Sequence, residues 1–117
     1  MIDFKKNLKS FRYAISGLFL MIREENNSRF HLLATLCVLG LGVYVNLSKY
    51  DWLWITLAIA IVWILEAINT ALEALVDLAS PDIHPLAKKA KDVAAAAVLL
   101  GAIFAVVVGV VVFVGYF

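Results

Sequence analysis

The sequence is short of charge and of every motif built on it. Charged residues make up 16% of the chain and apolar residues 64%, well above the share of about one half found in soluble domains. That excludes an ordinary water-soluble fold, and a net charge of +1 gives no reason to expect nucleic acid. There is one cysteine, Cys37, set in an apolar run, so a disulfide framework and a thiolate metal site are excluded; Cys37 reads as a small packing residue. Neither a Gly-x-x-x-x-Gly-Lys loop nor a Gly-x-Gly-x-x-Gly loop occurs, so any nucleotide must be held without those glycine cradles. The first thirty residues lack an apolar core followed by a small-residue cleavage site, and no cleavable signal is expected.

What is present is apolar and periodic. Residues 1–30 carry Phe4, Leu8, Phe11, Ile15, Leu18 and Ile22 at steps of three or four, with Lys5, Lys6, Lys9 and Arg12 on or beside the other face. This is the pattern of an amphipathic helix lying at a bilayer surface. A polar junction, 23–29, follows, read as a turn that holds a carboxylate and a guanidinium near the membrane. Three spans are then predicted, at 31–47, 52–78 and 93–117, and the whole of 1–117 is one domain. His31 reads as an interfacial or capping residue, because no partner His or Cys stands at metal-ligand spacing. Gly40, Gly42 and the run Ala94 to Ala97 suit close helix packing. Trp52 and Trp54 suit an interfacial aromatic belt. Between the second and third spans Pro81 stops a helix and Pro85 can start one.

Positive charge sets the expected orientation. Six Lys or Arg lie in the first 30 residues, one in the 46–51 turn, three in 79–92 and none at the C-terminus. By the positive-inside rule the N-terminus and the second connection are cytoplasmic, and the C-terminus is outside.

The second span carries the anomaly. Glu66, Asn69, Glu73 and Asp77 recur at spacings of three, four and four, so at 100° per residue they share an arc of roughly 80°. A carboxylate at the bilayer centre costs on the order of 3 kcal/mol. At 1.5 Å per residue Glu66 lies roughly 21 Å below Trp52 and Glu73 roughly 32 Å, so the stripe begins inside the inner leaflet and runs out of it. Three chemistries use such acids: proton or ion translocation, helix fastening, and group transfer at the interface. The acids cluster at one interface, and Arg29, Lys88 and Lys91 fall on the same side, as a polyphosphate requires; both facts favour group transfer. On that reading Mg2+ bridges the phosphates with one or two carboxylates, Glu25 and Glu73, in its shell. Glu66, deeper and withdrawn from water, suits a general base beside a lipid hydroxyl, with Asn69 one turn away to hold either. Asp77 is left as a structural or solvated acid.

At these residues the sequence resembles the bacterial diacylglycerol kinase and undecaprenol kinase family. The resemblance rests on Glu66-Ala-Ile-Asn-Thr-Ala-Leu-Glu-Ala-Leu-Val-Asp77 together with His84-Pro-Leu-Ala-Lys-Lys-Ala-Lys-Asp-Val-Ala-Ala-Ala-Ala-Val98, and it covers nearly the whole chain. It implies an all-α membrane protein, a homotrimer of three-span subunits with a surface helix, in the bacterial inner membrane. It implies a lipid kinase that uses ATP and Mg2+ at active sites shared between subunits. Glu66 matches the proposed base, and Glu25 and Glu73 the metal-holding carboxylates. Tyr13, Asp82, Ile83, His84, Lys91 and Asp92 match nucleotide-contacting positions, as does Lys6, which stands where some members carry Arg. Arg29 and Asn69 match positions near the lipid and phosphate, and Ala95 falls beside them. Members acting on diacylglycerol can carry Gly-Ser after the Lys-Asp-x element, where this chain has Ala94-Ala95. With Glu25-Asn-Asn-Ser-Arg-Phe-His31 and the stretch from Pro81 to Lys89, that favours undecaprenol over diacylglycerol.

Overall fold

The computed structural model describes all 117 residues as four helices with no strand: α1 Phe4–Glu24, α2 Asn26–Val45, α3 Lys49–Ala79 and α4 Pro85–Val114. Each boundary has a local cause. Asp3 caps α1 by accepting from the Lys6 N–H at 3.1 Å. Ser48 caps α3 by accepting from Asp51. His84 caps α4 through Nδ1, which accepts from Leu86, and Pro85 occupies the first turn, where its missing N–H costs nothing. Asn46 ends α2 in the left-handed conformation, φ 58°, a region that a short polar side chain tolerates. No glycine or proline interrupts α3, so it runs for 31 residues.

Helices α2, α3 and α4 are each long and apolar enough to cross a membrane. A 20-residue α2 spans about 30 Å, the thickness of the hydrocarbon core, whereas α3 and α4 at 31 and 30 residues reach about 45 Å. The excess length of α3 and α4 therefore has to project beyond the hydrocarbon.

The main pairing is antiparallel, α3 against α4, while α2 meets α3 and does not pack on α4; α1 touches α2 and α3. The α3–α4 register is marked by three pairs: Tyr116 with Asp51, Gly101 against Leu65, and Lys91 with Asp77. The apolar core lies at one end of this pair, where Leu47, Ile55, Ala58, Val108 and Val112 are buried. The Tyr116 hydroxyl closes that end, donating to Asp51 Oδ2 at 2.6 Å and accepting from the Ser48 N–H at 2.9 Å.

Several expectations shift. The polar segment 23–29 is a helix junction with almost no turn: the helix breaks at Glu25 alone, and Asn26 to Arg29 already belong to α2. Arg29 makes so short a break possible by donating Nε to Ile22 O at 2.9 Å and Nη2 to Arg23 O, which satisfies carbonyls that the end of α1 leaves free. The third span starts at Pro85, eight residues before the apolar run, and ends at Val114. Gly42 does serve close packing, since a Cβ there would stand 2.7 Å from the Trp52 ring; Gly40 meets nothing. Cys37 is exposed on the outside of α2 and packs no core. Gly101 is the close-contact glycine of α4, with a Cβ position 2.6 Å from Leu65.

Candidate active site

The polar stripe of α3 grades from dry to wet. Glu66 is 1% exposed and Asn69 8%; Glu73 is half-buried and Asp77 exposed. Glu66 and Asn69 therefore lie within the packed part of the bundle, and the stripe emerges as α3 leaves it. Asn69 Nδ2 donates to Glu73 Oε1 at 3.5 Å, one turn along the helix.

Opposite the stripe stands α2, in a register fixed by two contacts. His31 Nε2 lies 3.5 Å from Glu66 Oε2, and the Trp63 indole N–H donates to Thr35 Oγ1 at 3.0 Å. Carried one turn toward the start of α2, that antiparallel register brings Ser28 level with Asn69 and Thr70. Carried to the helix break, it brings Glu25 level with Glu73. Both carboxylates are near enough to Glu66 to act on it electrostatically. The carboxylate of Glu25 does not cap α2, so it is left free for another partner.

The stripe also gathers the unsatisfied polarity of the chain. The buried side-chain atoms without a hydrogen-bond partner are Ser28 Oγ, Glu66 Oε2, Asn69 Oδ1 and Thr70 Oγ1. Folded proteins leave few such groups, because each costs on the order of 1–3 kcal/mol. Four on two adjacent levels of one helix pair make this the place where a polar group would be received.

A second polar region adjoins the end of α3. Asp82, Ile83 and His84 line an open groove of about 320 Å3 with Asp77, Lys91 and Asp92. Lys91 Nζ pairs with Asp77 at 2.5 Å and Lys88 with Asp92 at 2.5 Å; Lys91 is half-buried and the other three are exposed. Asp77 is thus an ion-pair partner on the groove wall.

The remaining predicted residues are not assembled within one chain. Lys6 and Tyr13 lie on the exposed length of α1, whose only buried residue is Met21. The Arg29 guanidinium is turned to the end of α1. Ala95 is exposed on α4, next to the buried Ala94. Sequence reasoning missed His31 as the neighbour of Glu66, and missed Ser28 and Thr70. One signal was available: Ser28 and His31 are three apart on one helix, hence on one face, a face opposite the acids.

Residues 12–113 match the protein-family model for prokaryotic diacylglycerol kinase. The chain is 40% identical over 111 residues to the undecaprenol kinase of Bacillus subtilis (strain 168), covering 95% of this chain and 90% of that protein. It is 43% identical over 103 residues to the diacylglycerol kinase of Synechocystis sp., covering 87% of this chain and 59% of that longer protein. It is 35% identical over 101 residues to a diacylglycerol kinase of Helicobacter pylori (strain J99), covering 86% of this chain and 79% of that protein.

Proposed function

Because this chain belongs to the prokaryotic diacylglycerol kinase family, and so is a membrane lipid kinase that uses ATP, we propose that it transfers the γ-phosphoryl group of ATP to the primary hydroxyl of undecaprenol. The observation that carries the site assignment is the buried, unpartnered stripe around Glu66. Undecaprenol is preferred because the match to the undecaprenol kinase runs over 95% of this chain and 90% of that protein, and because Ala94-Ala95 stands where diacylglycerol kinases can carry Gly-Ser. Diacylglycerol is the second reading, favoured by the 43% identity to the Synechocystis enzyme.

In this reading the lipid hydroxyl sits at the level of Glu66 and Asn69. The hydroxyl oxygen bonds to the γ-phosphorus as the bond from that phosphorus to the bridging oxygen of ADP breaks. The hydroxyl proton passes to the Glu66 carboxylate and from there to water. Burial leaves that carboxylate poorly solvated, and general-base help of this kind is worth about 10²–10⁴ in rate. Asn69 steadies the hydroxyl or the base. Most of the remaining acceleration comes from positioning and charge neutralisation.

The donor set fits magnesium. Glu25 and Glu73 are half-buried carboxylates that come level in the α2–α3 register, and they would hold the ion through hard oxygen donors. An ion held by one or two carboxylates and completed by phosphate oxygens and water is the usual magnesium arrangement. When bound, the ion neutralises charge on the β- and γ-phosphates. The groove of Asp82, Ile83, His84, Lys91 and Asp92 takes the rest of the nucleotide, with Lys91 exchanging Asp77 for phosphate.

The same reading places the N-terminus, the α3–α4 connection and the site on the cytoplasmic side of the bacterial inner membrane, the C-terminus outside and α1 on the bilayer surface. A homotrimer with shared sites has one support: Lys6 and Tyr13 lie on the exposed length of α1 and do not reach the stripe of their own subunit, so a neighbour is the natural source of these groups. The test is phosphate transfer from radiolabelled MgATP by the purified protein in mixed micelles, with undecaprenol or diacylglycerol as acceptor. Undecaprenol is expected to be phosphorylated faster; the reverse order assigns the chain to diacylglycerol.

A further inference from the structure

We propose that His31 is a positioning residue: its Nε2–H ties down Oε2 of Glu66, so that Oε1 alone is presented to the lipid hydroxyl. The inference rests on Glu66 being the base. Oε2 is buried and has no hydrogen bond within the normal range, and His31 Nε2 stands 3.5 Å from it. A rotation of a few tenths of an ångström brings that pair within the normal N–H···O range of about 2.7–3.2 Å. The imidazole has two aromatic neighbours, one on each helix. Phe30 meets it edge-on with ring centroids 6.0 Å apart, and Trp63 likewise at 6.5 Å. Trp63 is itself pinned by its indole N–H to Thr35 Oγ1. The ring's orientation is therefore set by α2 and α3 together, and so is that of the carboxylate it faces. A carboxylate in a site with few other donors has several rotamers of similar energy. Fixing one oxygen selects one of these rotamers and so fixes where the other oxygen stands.

The experiment compares His31→Leu, His31→Met and His31→Gln in the full-length protein, each also in a Glu66→Gln background. Leu and Met keep an apolar body but remove the donor, and they differ in shape, so a folding defect in one leaves the other informative. They are expected to lower kcat with undecaprenol about 10–100-fold, the loss a misplaced reacting group causes, while the KM for MgATP stays within about twofold. His31→Gln places an amide N–H near the former Nε2 and is expected to restore kcat to within about threefold of the parent. In the Glu66→Gln background none of the three has a further effect, because the group being positioned is gone. Near-parental kcat in both apolar variants overturns the proposal. So does equal loss in the Gln variant, or losses that multiply with Glu66→Gln. A Glu66→Gln enzyme with parental activity refutes the base assignment instead, so the two failures are distinguishable.

Discussion

Replacing Glu66 with Gln separates the chemistry of the site from its contribution to the fold. The substitution keeps the shape and length of a side chain that is 1% exposed, and exchanges an ionisable group for a neutral amide. As the general base, Glu66 supplies about 10²–10⁴ in rate, or roughly 3–5 kcal/mol of transition-state stabilisation. Its stability term has the opposite sign. Oε2 is paired only by the long 3.5 Å contact from His31, and a buried charge so weakly paired costs on the order of 1–3 kcal/mol or more. The amide carries no charge to desolvate, and its carbonyl oxygen can accept from the His31 Nε2–H that faces Oε2 in the parent. The variant should therefore be at least as stable as the parent, by up to about 1–3 kcal/mol, while turning over at a hundredth of the rate or less. The KM for MgATP should hold, since Glu73 lies seven residues and roughly 10 Å along the helix. The assay pairs phosphate transfer to undecaprenol at saturating MgATP with thermal unfolding in detergent followed by circular dichroism. A variant that retains a tenth or more of parental kcat refutes the base assignment. A variant that loses stability along with activity refutes the claim that burying this acid is a cost accepted for function.

Three further outcomes follow from the same geometry. Tyr116→Phe removes the hydroxyl shared by Asp51 Oδ2 and the Ser48 N–H; it should cost about 1–3 kcal/mol in denaturant unfolding and leave kcat unchanged, because the latch is at the far end of the bundle. Gly42→Val drives a branched side chain into the Trp52 ring, 2.7 Å from a Cβ, and into Leu47 at 2.9 Å; a loss of about 1–3 kcal/mol is expected, seen as earlier unfolding and altered Trp fluorescence. Lys91→Met should raise the KM for MgATP, whereas Asp77→Asn should leave it unchanged or lower it, since that carboxylate competes for the ammonium; both should change stability by less than about 1 kcal/mol because the pair is exposed.

The helices and the polar stripe were legible from the residues alone. Apolar runs, the unbroken stretch from 52 to 78 and Pro85 at the start of α4 are local signals, and local signals decide where a helix starts and stops; that Ser48 caps α3 and carries it back to Lys49, within the expected 46–51 turn, was not expected. The 3.6-residue period alone placed Glu66, Asn69, Glu73 and Asp77 on one face, and span length alone ordered them by depth. The one-residue break at Glu25 was not legible. It depends on Arg29 reaching back six and seven residues to carbonyls of α1, a contact that spacing does not announce. Nor was the pairing of His31 with Glu66, or the alignment of Glu25 with Glu73 and of Ser28 with Asn69. Periodicity fixes the angle of a residue about its own helix and says nothing of how far one helix slides along the next. That offset comes from the turn at Asn46, from the close approach that Gly42 grants Trp52, and from the Trp63–Thr35 hydrogen bond. The sequence by itself determined that a membrane helix carries acids in a line. Only the tertiary structure decided which groups on α2 face each of them, because inter-helix register is settled by packing between segments far apart in the chain.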